Sequence, residues 1–215
     1  MLGIDFDPWI ILFSYLALLV TIIGCELCLS YVTKYYAQDC IEPNDLVIDG
    51  KITFNPLKYF DVFGTVVFPL AMIIFQAPLL FGWSKSLWLN MQKVVDRYGL
   101  NLAILLASSG VFFHFFIAFL SSFILSAKFL PQMAILWENL ILFNVFFVVI
   151  KLCPIFPYDG LKILSYIGLK LGSDLLMRFY WMLIPYGMFV LILVILTPLR
   201  ELILIPAVTI LKFLL

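Results

Sequence analysis

The sequence predicts an all-α membrane protein: a multi-span helical bundle of about four to six spans, one of them re-entrant or broken, with a small β-hairpin at the membrane surface. Three observations carry this expectation. Apolar residues make up 65% of the 215-residue chain and charged residues 12%, with a mean hydropathy of +1.14. A soluble domain needs polar side chains to cover its surface, and too few are present, so lipid must solvate much of the outside. The apolar residues also gather in runs that approach the roughly 20 residues a spanning helix requires. Finally, the polar stretch 34–61 places Asp49-Gly50 between the β-prone runs Leu46-Val47-Ile48 and Lys51-Ile52-Thr53-Phe54. Asp-Gly suits a tight hairpin, because both central turn residues need φ > 0.

Taken in order, the first apolar run covers residues 9–31 and is interrupted by Glu26 and by small polar residues. Residues 1–8 hold two aspartates and no basic residue. That pattern lacks the basic start of a cleavable signal sequence, so the first span is expected to stay attached. The run 63–83 is apolar but carries Pro69, Pro78, Gly64 and Gly82, and a mixed stretch, 84–101, follows it. Further apolar runs cover 102–127, 133–152 and 175–196, and a shorter apolar tail covers 201–215. No repeat, low-complexity segment or linker divides the chain, so residues 1–215 read as a single domain.

Thirteen basic and 13 acidic residues give zero net charge, so no electrostatic argument favours nucleic acid as a partner. The placement of the basic residues bears instead on orientation. Lys34, Lys51 and Lys58 follow the first run, and Lys85, Lys93 and Arg97 follow the proline-bearing one. The positive-inside rule sends both loops to the cytoplasm, which one full span between them cannot satisfy and a re-entrant segment can. Lys162, Lys170 and Arg178 then also fall inside. The expectation is a multi-pass protein of the cell (inner) membrane with its N-terminus outside and the lipid bilayer as its first partner.

Ionisable groups within apolar runs mark function by default. Glu26 lies deep in the first run, with no basic residue near it in the same helix. His114, the single histidine, lies in mid-span, where it also reads as a helix–helix hydrogen-bonding residue. Lys151 closes the run 133–152, where it also reads as a side chain reaching for headgroups. Asp159 follows in Cys153-Pro154-Ile155-Phe156-Pro157-Tyr158-Asp159-Gly160, whose prolines and glycine break a helix. Glu138, Asn139 and Asn144 add polarity to the same run as Lys151, with Glu138 near an interface. Of the four cysteines, Cys25, Cys28 and Cys153 lie in or beside apolar segments and Cys40 does not. They do not read as a disulfide framework.

These blocks, in this order, resemble the site-2 protease family of intramembrane zinc metalloproteases, specifically its minimal bacterial-type group. The family pattern runs H-E-x-x-H, N-P-L-x-H-x-D-P-x-G-T, F-G-W-x-K, A-G-P-x-x-N and N-x-x-P-x-x-P-x-D-G. The chain has Cys25-Glu26-Leu27-Cys28-Leu29, then Asn55-Pro56-Leu57-Lys58-Tyr59-Phe60-Asp61-Val62-Phe63-Gly64-Thr65, then Phe81-Gly82-Trp83-Ser84-Lys85. Ser109-Gly110-Val111-Phe112-Phe113-His114 and Lys151-Leu152-Cys153-Pro154-Ile155-Phe156-Pro157-Tyr158-Asp159-Gly160 complete the match, which covers residues 23–164. The resemblance implies a cleft in which Glu26 stands at the general-base position and Asp159 at the third metal-ligand position. Both zinc-binding histidine positions are replaced, by Cys25 and Leu29, and the family's asparagines by Lys151 and His114. Leucine offers no lone pair, so the usual three-ligand zinc site cannot form.

Three readings follow. In the first, the chain is a non-proteolytic or strongly impaired homologue without a cofactor. Lys151 replaces the zinc charge by pairing with Glu26 and Asp159, and a groove containing Gly110, Pro154, Pro157 and Gly160 receives a transmembrane helix of a substrate or partner. The hairpin offers that partner an edge for strand addition. In the second, peptide-bond hydrolysis persists, with Glu26 activating water on zinc held by Asp159, Cys25 and possibly Cys28 and His114. In the third, Glu26, His114, Lys151 and Asp159 relay protons or ions.

Overall fold

A computed structural model describes residues 7–77, 80–154, 158–186, 189, 197 and 199–215. It is predominantly helical, with eight α-helices among those residues and one two-stranded antiparallel sheet.

Helix α1 (Pro8–Tyr36) begins where its chemistry directs: the Asp7 carboxylate accepts the Trp9 amide at 2.8 Å, and Pro8 occupies the first turn, where no amide is needed. The polar stretch after it folds as expected into a hairpin, β1 (Val47–Ile48) and β2 (Lys51–Ile52), with Val47 opposite Ile52. Asp49 and Gly50 carry φ of 50° and 73°, the two positive values the turn requires. The strands are only two residues each, shorter than the β-prone runs, because Leu46 and Ile52 turn inward to pack on α1.

The proline-bearing run is broken, as expected. A π-type turn (Val62–Val67), capped by Asp61 on the Gly64 amide at 2.7 Å, leads into the short helix α2 (Phe68–Ile74). Together they extend about 20 Å at 1.5 Å per residue, short of the roughly 30 Å of a bilayer's hydrocarbon core. The chain then returns in extended form over 80–90; Pro78 lies outside the described residues. Gly64 and Gly82 permit this return. A Cβ at Gly64 would lie 2.4 Å from the Trp83 ring, and one at Gly82 2.5 Å from the Gly64 carbonyl oxygen. Helix α3 (Met91–Tyr98), capped by Asn90 on the Lys93 amide, follows, and Gly99 (φ 81°) joins it to α4 (Leu100–Ser126).

A turn at Pro131–Met133 leads into α5 (Ala134–Leu152). Then come α6 (Asp159–Lys170), α7 (Leu175–Leu183) and α8 (Leu199–Leu214). Helices α1, α4 and α5 pack on one another; α6 packs on α4 and α7, and α8 on α5. Among the described residues, three helical segments, Pro8–Tyr36, Leu100–Ser126 and Pro131–Leu152, are long and apolar enough to cross a membrane. Val62–Ile74 and Leu204–Leu214 are shorter apolar helices, α7 covers only the first part of the run 175–196, and residues 187–188 and 190–196 lie outside the described residues.

The outer surface keeps large apolar groups. On α4, Phe112, Phe116, Phe119 and Phe123 are each more than 60% exposed. The interior of the bundle carries the polarity instead. His114 Nδ1 lies 2.8 Å from Asn144 Oδ1, and the Asn144 amide donates to Thr21 Oγ1 (2.9 Å) and to the Leu140 carbonyl (2.8 Å). One side-chain chain of hydrogen bonds thus ties α4, α5 and α1, all three members fully buried. The His114 ring also stacks on Phe147, which stacks on Phe81 of the returning segment.

Candidate functional site

Four stretches of the chain meet at a cavity of about 460 Å³. Helix α1 supplies Cys25, Glu26 and Leu29, and the extended return supplies Ser86 to Leu89. Helix α4 supplies Leu106, Ala107, Ser109 and Gly110, and the α5–α6 junction supplies Lys151, Asp159 and Lys162. Glu42 and Met91 complete the lining.

The α5–α6 junction places the cation. Helix α5 ends at Leu152, and α6 starts at Asp159. Gly160 sets the closeness of that turn, since a Cβ there would meet the Leu152 carbonyl oxygen at 2.2 Å. Lys151 and Asp159 thereby face each other across the turn, with Lys151 Nζ 3.0 Å from Asp159 Oδ2 and side-chain exposures of 23% and 30%. Gly110 makes room for the ammonium. A Cβ there would lie 3.3 Å from Lys151 Nζ and 2.9 Å from Cys25 Sγ, so the lysine head, the thiol and the α4 backbone are in mutual contact.

Glu26 departs from the expected three-way ion pair. The ammonium of Lys151 faces it and interacts with its charge, but no ion pair within 4 Å joins them. The Glu26 carboxylate turns instead to the extended return, where it accepts the Leu87 amide at 3.4 Å and the Ser86 hydroxyl. The Leu87 amide takes no part in the antiparallel bridge between Ile41 and Leu89, so it needs another acceptor, and Glu26 is the one in reach. The rest of that segment is held by backbone bonds: Trp83 N to Gly64 O (3.1 Å), Lys85 N to Tyr59 O (2.8 Å) and Glu42 N to Trp88 O (2.9 Å).

Other expected site residues lie elsewhere. His114 does not line the cavity, because its imidazole is engaged by Asn144 one helical turn further along α4. Cys28 does not line it either. Pro154 is exposed and borders a separate apolar recess with Pro206 of α8, and Gly160 is buried behind the turn it permits. Pro157 lies outside the described residues. The alternative zinc ligands Cys25, Cys28, His114 and Asp159 are therefore not gathered. Among the described residues no three His, Cys, Asp or Glu side chains stand together as a metal site. The donor set does not fit zinc: Leu29 has nothing to donate, and the Asp159 carboxylate already holds an ammonium.

Three contributors were not singled out from the sequence. Ser86 and the Leu87 amide fall in the mixed stretch 84–101, where nothing in the pattern distinguishes a cavity wall from a surface loop. Lys162 had a detectable signal, since it stands three residues after Asp159 and a helix there puts both on one face.

Outside the cavity, Asp39 fastens α3 to the end of α1. Its carboxylate accepts the Tyr98 hydroxyl at 2.7 Å and pairs with Arg97, and its carbonyl accepts from Lys93 Nζ. The Tyr98 and Arg97 hydrogen bonds hold the Asp39 carboxyl below the usual carboxylate range. Lys85 does the same for Asp45 through an ion pair at 2.7 Å.

The chain matches no family model, no curated protein and no solved structure.

Proposed function

We propose that the chain is a multi-pass membrane protein of site-2-protease type that has lost proteolysis and uses the old metal cleft to hold a membrane segment of a partner. The observation that carries this reading is the Lys151–Asp159 pair in the wall of the cavity that Glu26 also lines. Around a divalent cation, two carboxylates and two imidazoles balance charge and coordination. In this chain the imidazole positions are Cys25 and Leu29, and a single ammonium takes the place of the ion's charge. A carboxylate left without it in this setting would be destabilised by several kcal/mol.

The placement of charge supports the membrane part of the reading. Lys34, Lys51, Lys58, Lys85, Lys93 and Arg97 follow the end of α1 or precede the start of α4. The positive-inside rule assigns that side to the cytoplasm, and the start of α1 to the opposite side. The short α2 helix with its extended return then enters and leaves from the cytoplasmic side without crossing. For the partner, residues 86–89 wall the cavity directly, whereas the hairpin's Leu46 and Ile52 are committed to packing on α1.

Metal analysis tests the reading. The purified protein is expected to carry no stoichiometric zinc and to leave a transmembrane peptide uncut. The triple variant Cys25→His/Leu29→His/Lys151→Asn is expected to take up one zinc per chain, and added Asp159→Ala to abolish that uptake. Stoichiometric zinc in the natural chain, lost on Cys25→Ser, would overturn it.

A further inference from the structure

The cavity is small for a membrane segment. An α-helix about 10 Å across rises 5.4 Å per turn, so a volume of about 460 Å³ holds roughly one turn. A membrane segment of about 20 residues is several turns long, and a wall has to yield to admit it. Helices α1, α4 and α5 pack on one another, and the α5–α6 junction is closed by Gly160 against the Leu152 carbonyl and by the Lys151–Asp159 pair. The remaining wall, residues 86–89, is extended chain. It is bonded mainly to the segment beside it. Asn44 Nδ2 donates to the Ser86 carbonyl (3.1 Å), Glu42 N to Trp88 O (2.9 Å) and Asn90 N to Cys40 O (2.9 Å), and Ile41 pairs with Leu89 in an antiparallel bridge. Residues 40–44 and 86–90 thus form a two-stranded flap. Its base is fixed, with Ser84 Oγ donating to the Ile22 carbonyl (3.1 Å), Lys85 N to Tyr59 O (2.8 Å), and the Lys85 ammonium paired with Asp45.

Among the described residues, Glu26 is the one side chain of α1 hydrogen-bonded to this flap, accepting the Leu87 amide at 3.4 Å and the Ser86 hydroxyl. Leu87, 5% exposed, packs in the core cluster that holds Leu18 and Ile22, so the flap lies shut. The bond to Leu87 is longer than a usual amide hydrogen bond, which suits a contact that has to be given up. We propose that Glu26 is the latch of this flap: its carboxyl group holds residues 86–89 against α1, and release of that contact opens the cavity from their side. The purpose of the latch rests on the reading of the cavity as the seat of a partner's segment. Its operation does not, and is tested without a partner.

The test compares the full chain in detergent micelles as wild type, Glu26→Asp, Glu26→Gln and Glu26→Ala, each checked for native helicity by circular dichroism. Aspartate keeps the acid and shortens its reach by a methylene, whereas glutamine keeps the reach and an acceptor oxygen and removes the acid. One readout is amide hydrogen exchange of residues 86–89, with the α5 amides as internal reference. The other is alkylation by a maleimide of Cys25, which lines the cavity and is 4% exposed, located by mass spectrometry. The Asp and Ala variants are expected to exchange and to be alkylated about ten-fold faster than wild type, as loss of a hydrogen bond to a charged group allows. The α5 amides should stay unchanged, and the Gln variant should stay close to wild type in both readouts. The latch is refuted if the Asp and Ala variants match wild type, or if the Gln variant opens as far as the Ala variant. Faster exchange without faster alkylation refutes it too, since a bond that merely orders Leu87 would give that result. If the flap opens as expected but a transmembrane peptide binds neither wild type nor the variants, the latch stands and the reading of the cavity as a seat for a segment falls.

Discussion

Replacing Lys151 by methionine keeps the unbranched apolar stem, one heavy atom shorter, and removes the charge, so most of the loss reports the ion pair rather than packing. The two side chains are 23% and 30% exposed and 3.0 Å apart. Breaking a fully buried pair costs about 3–5 kcal/mol, and breaking an exposed one less than about 1 kcal/mol. At this partial burial the expected loss is about 2 kcal/mol, with Asp159 left unpaired and Glu26 deprived of the cation that faces it. Asp159→Asn alone should cost less, about 1 kcal/mol, because Lys151 keeps Glu26 in view. The double variant Lys151→Met/Asp159→Asn should recover part of the difference, giving a coupling energy near 1 kcal/mol. Reversible unfolding in mixed detergent–SDS micelles measures all four corners of the cycle. A Lys151→Met protein within about 0.3 kcal/mol of wild type, or strictly additive single losses, would refute the claim that this ammonium holds the cleft together.

Three further outcomes follow from the same geometry. His114→Leu should destabilise the bundle by about 1 kcal/mol, read in the same unfolding assay, by stranding the Asn144 carboxamide oxygen between buried helices. Asn144→Leu in the same background should add less than its own single cost. Gly160→Ala should be much more damaging than an average glycine replacement, because the new Cβ meets the Leu152 backbone carbonyl at 2.2 Å and only movement of the α5–α6 turn relieves it; loss of the Lys151–Asp159 coupling in that background is the accompanying readout. Attachment of α3 should depend on pH. The Asp39 carboxyl titrates below its ordinary value in the folded chain, so the attachment is complete above the unfolded value of about 4 and is lost as pH falls through the lower, folded one. Hydrogen exchange of the α3 amides should rise over that acid range, and Asp39→Asn should make exchange fast and level across it.

Much of the fold was legible in advance, for reasons that act over short distances. The Asp49-Gly50 turn and the broken run around Pro69 are each set by the sterics or hydrogen bonding of a few neighbouring residues. The apolar runs likewise placed α4 within two residues of its observed start. Identity of the polar residues also carried far: Cys25, Glu26, Gly110, Lys151 and Asp159, chosen as cleft residues, do meet at one cavity.

What the sequence alone determined is therefore the long apolar helices, the hairpin and which rare polar groups needed partners. Which partner each took was decided only by the tertiary structure. Helices α1, α4 and α5 are apolar nearly all round, so no polar face announces how each is turned about its own axis. That rotation settles whether His114 meets a cleft or Asn144, and whether Glu26 meets Lys151 or the Leu87 amide. It is set by the fit of Gly110 against Cys25 and Lys151, and of Gly24 against the Phe113 ring. These contacts join residues distant in sequence, and they exist only once the helices have packed.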